Sequence, residues 1–106
     1  MTHIKRFEEF VKESSQTGNM PLKFMFRQEE NGDVLAVFDE WWNKDKGEIA
    51  CYSHVGQHSG CTREYVEKDT VEPKLDDCSD LTEELKRIGY DNLRLVNSLD
   101  DFAIFQ

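Results

Sequence analysis

Two thiols and two imidazoles fall within eleven residues, in the order Cys51-x2-His54-x3-His58-x2-Cys61. Thiolate and neutral imidazole are donors that zinc favours, four of them in a tetrahedron with bonds of about 2.0–2.3 Å. Spacing restricts the idea. Ten residues of helix would part Cys51 from Cys61 by about 15 Å, and ten of strand by about 33 Å. One zinc can take Cys51, His54, His58 and Cys61 only if the chain doubles back between the pairs, a reversal that Gly56 would permit. A smaller site needs only His54 and His58. At i, i+4 they face the same way on a helix or a strand, where they could share a metal with a carboxylate or act as acid and base near neutral pH. A nucleophilic Cys61 activated by His58 has no supporting motif around it. In the plain structural alternative the imidazoles bond to backbone, Cys51 fills core, and no cofactor is required.

The elements that must position these residues are legible in part. Ile4, Phe7, Phe10 and Val11 form one stripe of a helix over 3–14, with Thr2 as its cap and Ser14-Ser15 through Gly18 as its end. After Pro21, Leu22, Phe24 and Phe26 alternate with Lys23, Met25 and Arg27, the period of a strand. Asn31-Gly32 predicts a hairpin with a type I′ turn into a return strand over 33–39. Residues 39–47 read as a polar loop carrying Trp41 and Trp42, adjacent side chains that must point to opposite faces of an extended segment. Glu48 to Ser53 resumes strand character around Ile49, Ala50, Cys51 and Tyr52, and 62–69 suits a short helix.

Further on, Asp80 and Glu83 make a capping arrangement for a helix over 80–88, with Leu81, Leu85 and Ile88 as its buried stripe and Gly89 as its left-handed end. Leu93 and Leu95 mark a strand over 92–96. Residues 102–105 read either as a last strand or as a short helix capped by Ser98.

These elements compose one α+β domain over 1–106: a helical extension at 1–18, a core at 22–96 and a tail at 97–106. The expected architecture is a small antiparallel sheet of four or five strands, with the 80–88 helix on one face and the N-terminal helix on a face or edge. Gly56 should adopt a conformation unfavourable to residues with a Cβ, with Val55 buried beside it. His54, Gln57 and His58 would then surround a concavity next to Trp41 or Trp42, the aromatic-plus-polar make-up of a small-ligand pocket.

The net charge is -9, and it is uneven. Residues 1–27 hold five basic and three acidic side chains, whereas 64–84 holds nine acids against Lys68 and Lys74. Such a field disfavours direct nucleic-acid binding, which depends on Lys and Arg contacts to phosphate. It attracts a basic protein surface. The longest apolar runs are a few residues, short of the ~18 that span a bilayer. Residues 1–18 are punctuated by charges where a signal peptide would be apolar, so a cytoplasmic location is expected. Cys51, Cys61 and Cys78 are an odd count, which in a reducing compartment points to free thiols, ligands or small core residues.

Three stretches together carry a resemblance: Phe26-Arg27 with Asn31 to Phe38, then Tyr52-x-His54-Val55-Gly56-Gln57-His58, then Leu81 to Leu85 running on to Ile88-Gly89-Tyr90. Over about 22–96 the chain resembles a family of short phage and mobile-element proteins with no established activity. Their Tyr-x-His-Val-Gly-Gln-His stretch is the most specific part, and Cys51 and Cys61 are not in the pattern. The resemblance implies an accessory role. With no phosphate loop or catalytic set in the sequence, the expected function is non-enzymatic binding of another protein. The alternative is a metal-binding or histidine-dependent activity centred on His54 and His58.

Overall fold

The computed structural model describes residues 21–53 and 56–106. The helix expected over 3–14, and His54 and Val55, lie outside the described residues. Four strands form an antiparallel meander: β1 (Leu22–Glu29), β2 (Val34–Asn43), β3 (Glu48–Ser53) and β4 (Gln57–Thr62).

The β1–β2 hairpin lies where Asn31-Gly32 placed it, but its turn is not type I′. Glu29 and Asp33 close a three-residue loop, with Glu29 N–H donating to the Asp33 carbonyl at 2.8 Å. Gly32 alone there has positive φ, +96°. Asn31 stays in ordinary φ because its Oδ1 accepts the Asp33 N–H at 3.0 Å, a side-chain turn that replaces the second left-handed residue.

A register shift between Val37 and Trp41 bulges β2. The polar loop expected over 39–47 therefore contracts to a 3-10 turn at Lys44–Lys46, and β2 runs on through both tryptophans. β4 was not expected as a strand. Its side chains are small or polar, and its order comes from pairing with β3 from Glu48↔Thr62 to Ser53↔Gln57.

Helix α1 (Arg63–Asp69) follows at once, with the Thr62 hydroxyl accepting the Tyr65 N–H at 3.1 Å. It leads to β5 (Thr70–Val71), antiparallel to the end of β1. Helix α2 (Leu75–Arg87) starts before the Asp80 predicted as its cap; Lys74 stands at that position and makes no side-chain capping bond. Asp80 and Glu83 are exposed residues within the helix. At its other end Gly89 N–H donates to the Lys86 carbonyl at 3.3 Å and Tyr90 N–H to the Leu85 carbonyl at 3.0 Å, the paired bonds of a glycine-ended helix.

β6 (Leu93–Leu95) lies alongside the start of β1, parallel and not antiparallel, through Leu22↔Leu93 and Phe24↔Leu95. Residues 102–105 add no strand. Two 3-10 turns, Leu99–Asp101 and Ala103–Phe105, fill the tail, the first capped by Ser98.

The fold is thus α+β. Among the described residues six strands make one sheet in the order β4-β3-β2-β1-β5, with β6 also on β1, and two α-helices flank it. Period-two alternation divides the apolar side chains between two faces. Phe24, Ala36, Phe38, Ala50 and Tyr52 pack with Leu81, Leu85 and Tyr90 beneath α2. Met25, Val37, Ile49, Cys51 and Cys61 pack with Val66 of α1 and with Leu99 and Phe102 of the tail. Among the described residues no helix is long and apolar enough to cross a membrane.

Candidate functional site

Gly56 performs the reversal that the Cys/His spacing required. Its φ is +89°, and its N–H donates to the Ser53 carbonyl at 2.9 Å, turning β3 into β4. Pairing on either side of that turn decides which of the predicted site residues meet.

On the α2 face, His58 sits opposite Tyr52, their rings edge to face at 4.6 Å. The His58 ring is in a residue only 8% exposed, and its Nε2 lies 3.0 Å from the Tyr90 hydroxyl. Tyr90 stacks on Phe38 at 4.8 Å. The Tyr52 hydroxyl donates to a Glu84 carboxylate oxygen, tying the hairpin to α2. Burial, reinforced by the Glu84 carboxylate, pushes the Tyr52 phenol above its ordinary range, and burial does the same to Tyr90. Both phenols are therefore neutral hydrogen-bonding groups near neutral pH. A Cβ at Gly56 would stand 3.8 Å from the Tyr52 hydroxyl, in ordinary contact, so the demand for glycine there comes from φ.

The opposite face presents a second cluster. Register places Cys51 across from Ser59 and Cys61 across from Ile49, one diagonal step apart on the same side of the sheet. The Cys61 thiol donates to the Ile49 carbonyl at 3.8 Å. Cys51 Sγ is 3.4 Å from both the Ser59 carbonyl and the Ser59 hydroxyl. The neighbouring Cys61 thiol lowers the Cys51 thiol below its ordinary value against the effect of burial, and Cys61 is itself pushed up by Cys51 and by burial. Both thiols line a cavity of about 430 Å³ with Leu35, Ser59, Tyr65 and Glu29. The Tyr65 hydroxyl donates to the Glu29 carboxylate, which with burial pushes Tyr65 up to about 12.

The site expected from sequence is therefore divided. Odd and even positions of β4 face opposite ways, so Cys51 and Cys61 share one face while His58 turns to the other. The four-ligand zinc arrangement does not assemble around these three, and among the described residues no three His, Cys, Asp or Glu side chains form a metal-holding group.

The same alternation separates Gln57, which is exposed, from inward-facing His58. Trp41 packs against Phe105 at 5.7 Å on the α1 face, and Trp42 packs on the α2 face, where its indole lies over Gly60. Of the two tryptophans Trp42 shares a face with His58, exposed Gln57 does not face them, and His54, the remaining residue of the expected concavity, lies outside the described residues. The partners of His58, Tyr52 and Tyr90, were missed as site residues. Tyr52 was accessible from a hairpin that pairs Ser53 with Gln57, whereas Tyr90 is brought in by the packing of α2.

No family model matches the chain, and neither the curated proteins nor the solved structures returned a match.

Proposed function

We propose that this protein is a non-enzymatic accessory module that acts by binding a protein with a basic surface. The observation that carries the reading is the segment joining α1 to α2. It passes from one face of the sheet to the other around β5; Glu72 on it, Asp69 at the end of α1, and Asp80 and Glu83 on α2 are exposed and form no ion pair among the described residues. Val71, between two of these carboxylates, is 62% exposed. Uncompensated carboxylates raise the encounter rate with a basic partner, and an exposed valine adds apolar area that binding removes from water. The resemblance of residues 52–58 to phage and mobile-element proteins supports an accessory role.

The test is capture by the immobilised full chain from host lysate. A specific partner should be retained at about 0.05 M salt and released near 0.3 M, where the Debye length has fallen to roughly 5–6 Å. The Asp69→Lys, Glu72→Lys double variant should capture at least tenfold less. Equal capture by that variant, or no partner at low salt, would overturn the reading. Stoichiometric zinc on untagged protein, lost in His58→Ala, would replace it with the metal-binding alternative.

A further inference from the structure

Cys51 and Cys61 are not used by the proposed binding surface, and they lie on the opposite side of the sheet from the His58 cluster. We propose that they form a thiol redox couple, with Cys51 as the attacking thiol and Cys61 as the resolving thiol, that small organic disulfides such as oxidised glutathione convert to an intramolecular disulfide.

Three observations converge. The diagonal register puts the two side chains on one face of adjacent antiparallel strands, one pairing step apart. Both line the same cavity of about 430 Å³, which gives a small disulfide a way to reach side chains that are otherwise buried. β4 ends the strand order, paired through β3 alone among the described strands, so closing the last distance between the sulfurs has to move one strand only. Thiolate is the reactive species, and the adjoining Cys61 thiol favours it at Cys51.

The chemistry is two consecutive exchanges. The Cys51 thiolate attacks one sulfur of the small disulfide. Its S–S bond breaks, the departing thiolate takes up a proton, and a mixed disulfide remains on Cys51. Cys61 then gives up its proton, and its thiolate attacks the Cys51 sulfur, displacing the second small thiol. The protein dithiol is oxidised by two electrons, and the disulfide is reduced to two thiols.

Cys78 supplies an internal control. It is buried on the α2 face, its thiol directed to the Lys74 carbonyl at 3.5 Å. The experiment is intact-mass and peptide analysis of the native full chain after incubation with oxidised glutathione. Wild type should lose two hydrogens, keep no adduct, and yield a peptide joining residues 51 and 61, with Cys78 still free. Cys61→Ser, or Cys61→Ala where serine disturbs packing, should retain one glutathionyl group on Cys51. Cys51→Ser should gain none. Three free thiols in treated wild type, a mixed disulfide that persists there, or a crosslink involving Cys78 would overturn the proposal.

Discussion

Gly60 has no positive φ, so its backbone asks nothing special of glycine. The space above it does. A Cβ there would stand 2.6 Å from Trp42 Cδ1 and 2.9 Å from the Glu48 Cβ, and neither neighbour is the free end of a flexible chain. Overpacking of this kind costs about 1–3 kcal/mol, so Gly60→Ala should lower stability by that amount in urea unfolding. Removing the indole should recover part of it: Gly60→Ala combined with Trp42→Ala will be less destabilised than the sum of the two single changes. Gly56 is the opposite case, with room for a Cβ and a left-handed backbone, and Gly56→Ala should cost about 1 kcal/mol from dihedral strain. Two glycines four residues apart thus answer to unrelated constraints, and only the turn glycine could be picked out from sequence.

Arg27 governs how α1 is held. Its guanidinium donates to the Thr70 carbonyl at 2.7 Å, the Val66 carbonyl at 3.2 Å and the Thr70 hydroxyl at 2.8 Å, satisfying acceptors at the helix end where a positive charge is favoured. Hydrogen bonds to a charged group contribute about 1.5–3 kcal/mol. Arg27→Lys, which keeps the charge but not the planar fork, should therefore still destabilise, by about 1 kcal/mol or more in thermal unfolding. Asp39 does comparable work for the tail: its carboxylate accepts the Ala103 N–H at 2.7 Å and the Ile104 N–H at 3.0 Å. Asp39→Ala should release the last 3-10 turn, seen as loss of hydrogen-exchange protection at those two amides while β2 and β3 keep theirs.

Elements with strong local signals were legible in the sequence. Alternation named β1, Asn31-Gly32 named the first hairpin, and Leu81, Leu85 and Gly89 named the buried stripe and end of α2. β4 was not legible, because Gln57, His58, Ser59, Gly60, Cys61 and Thr62 carry no large apolar alternation and draw their conformation from β3. The start of α2 was misplaced because Asp80 and Glu83 imitate a capping pair while lying on an exposed helix face. Among the site residues, the reversal at Gly56 was readable, but the assignment of thiols and imidazole to opposite faces depended on recognising β4 as a strand.

All three tyrosines are held protonated beyond their ordinary range: Tyr52 and Tyr90 chiefly by burial, Tyr65 chiefly by its bond to Glu29. A phenol whose folded value is raised contributes stability that is fully present below its unfolded value, near 10, and lost as pH climbs through the folded one. The folded protein should therefore show little phenolate absorbance at about pH 10, where the urea-unfolded chain is half titrated. Urea midpoints should fall from about pH 10 upward, Tyr65 ionising in the fold only at about 12. Half-titration of the native tyrosines at pH 10 would contradict the packing around them.

The pairing of β1 has a further consequence, for biosynthesis. The meander from β1 to β4 needs only neighbouring hairpins, but the outer side of β1 is completed by residues 70–71 at one end and 93–95 at the other. A ribosome that has delivered β4 has thus produced a sheet with neither α1 nor α2 to cover it, and the α1 face is not closed until Leu99 and Phe102 have emerged. Nascent chains stalled before Asn92 should bind chaperones, and chains released after the tail should not.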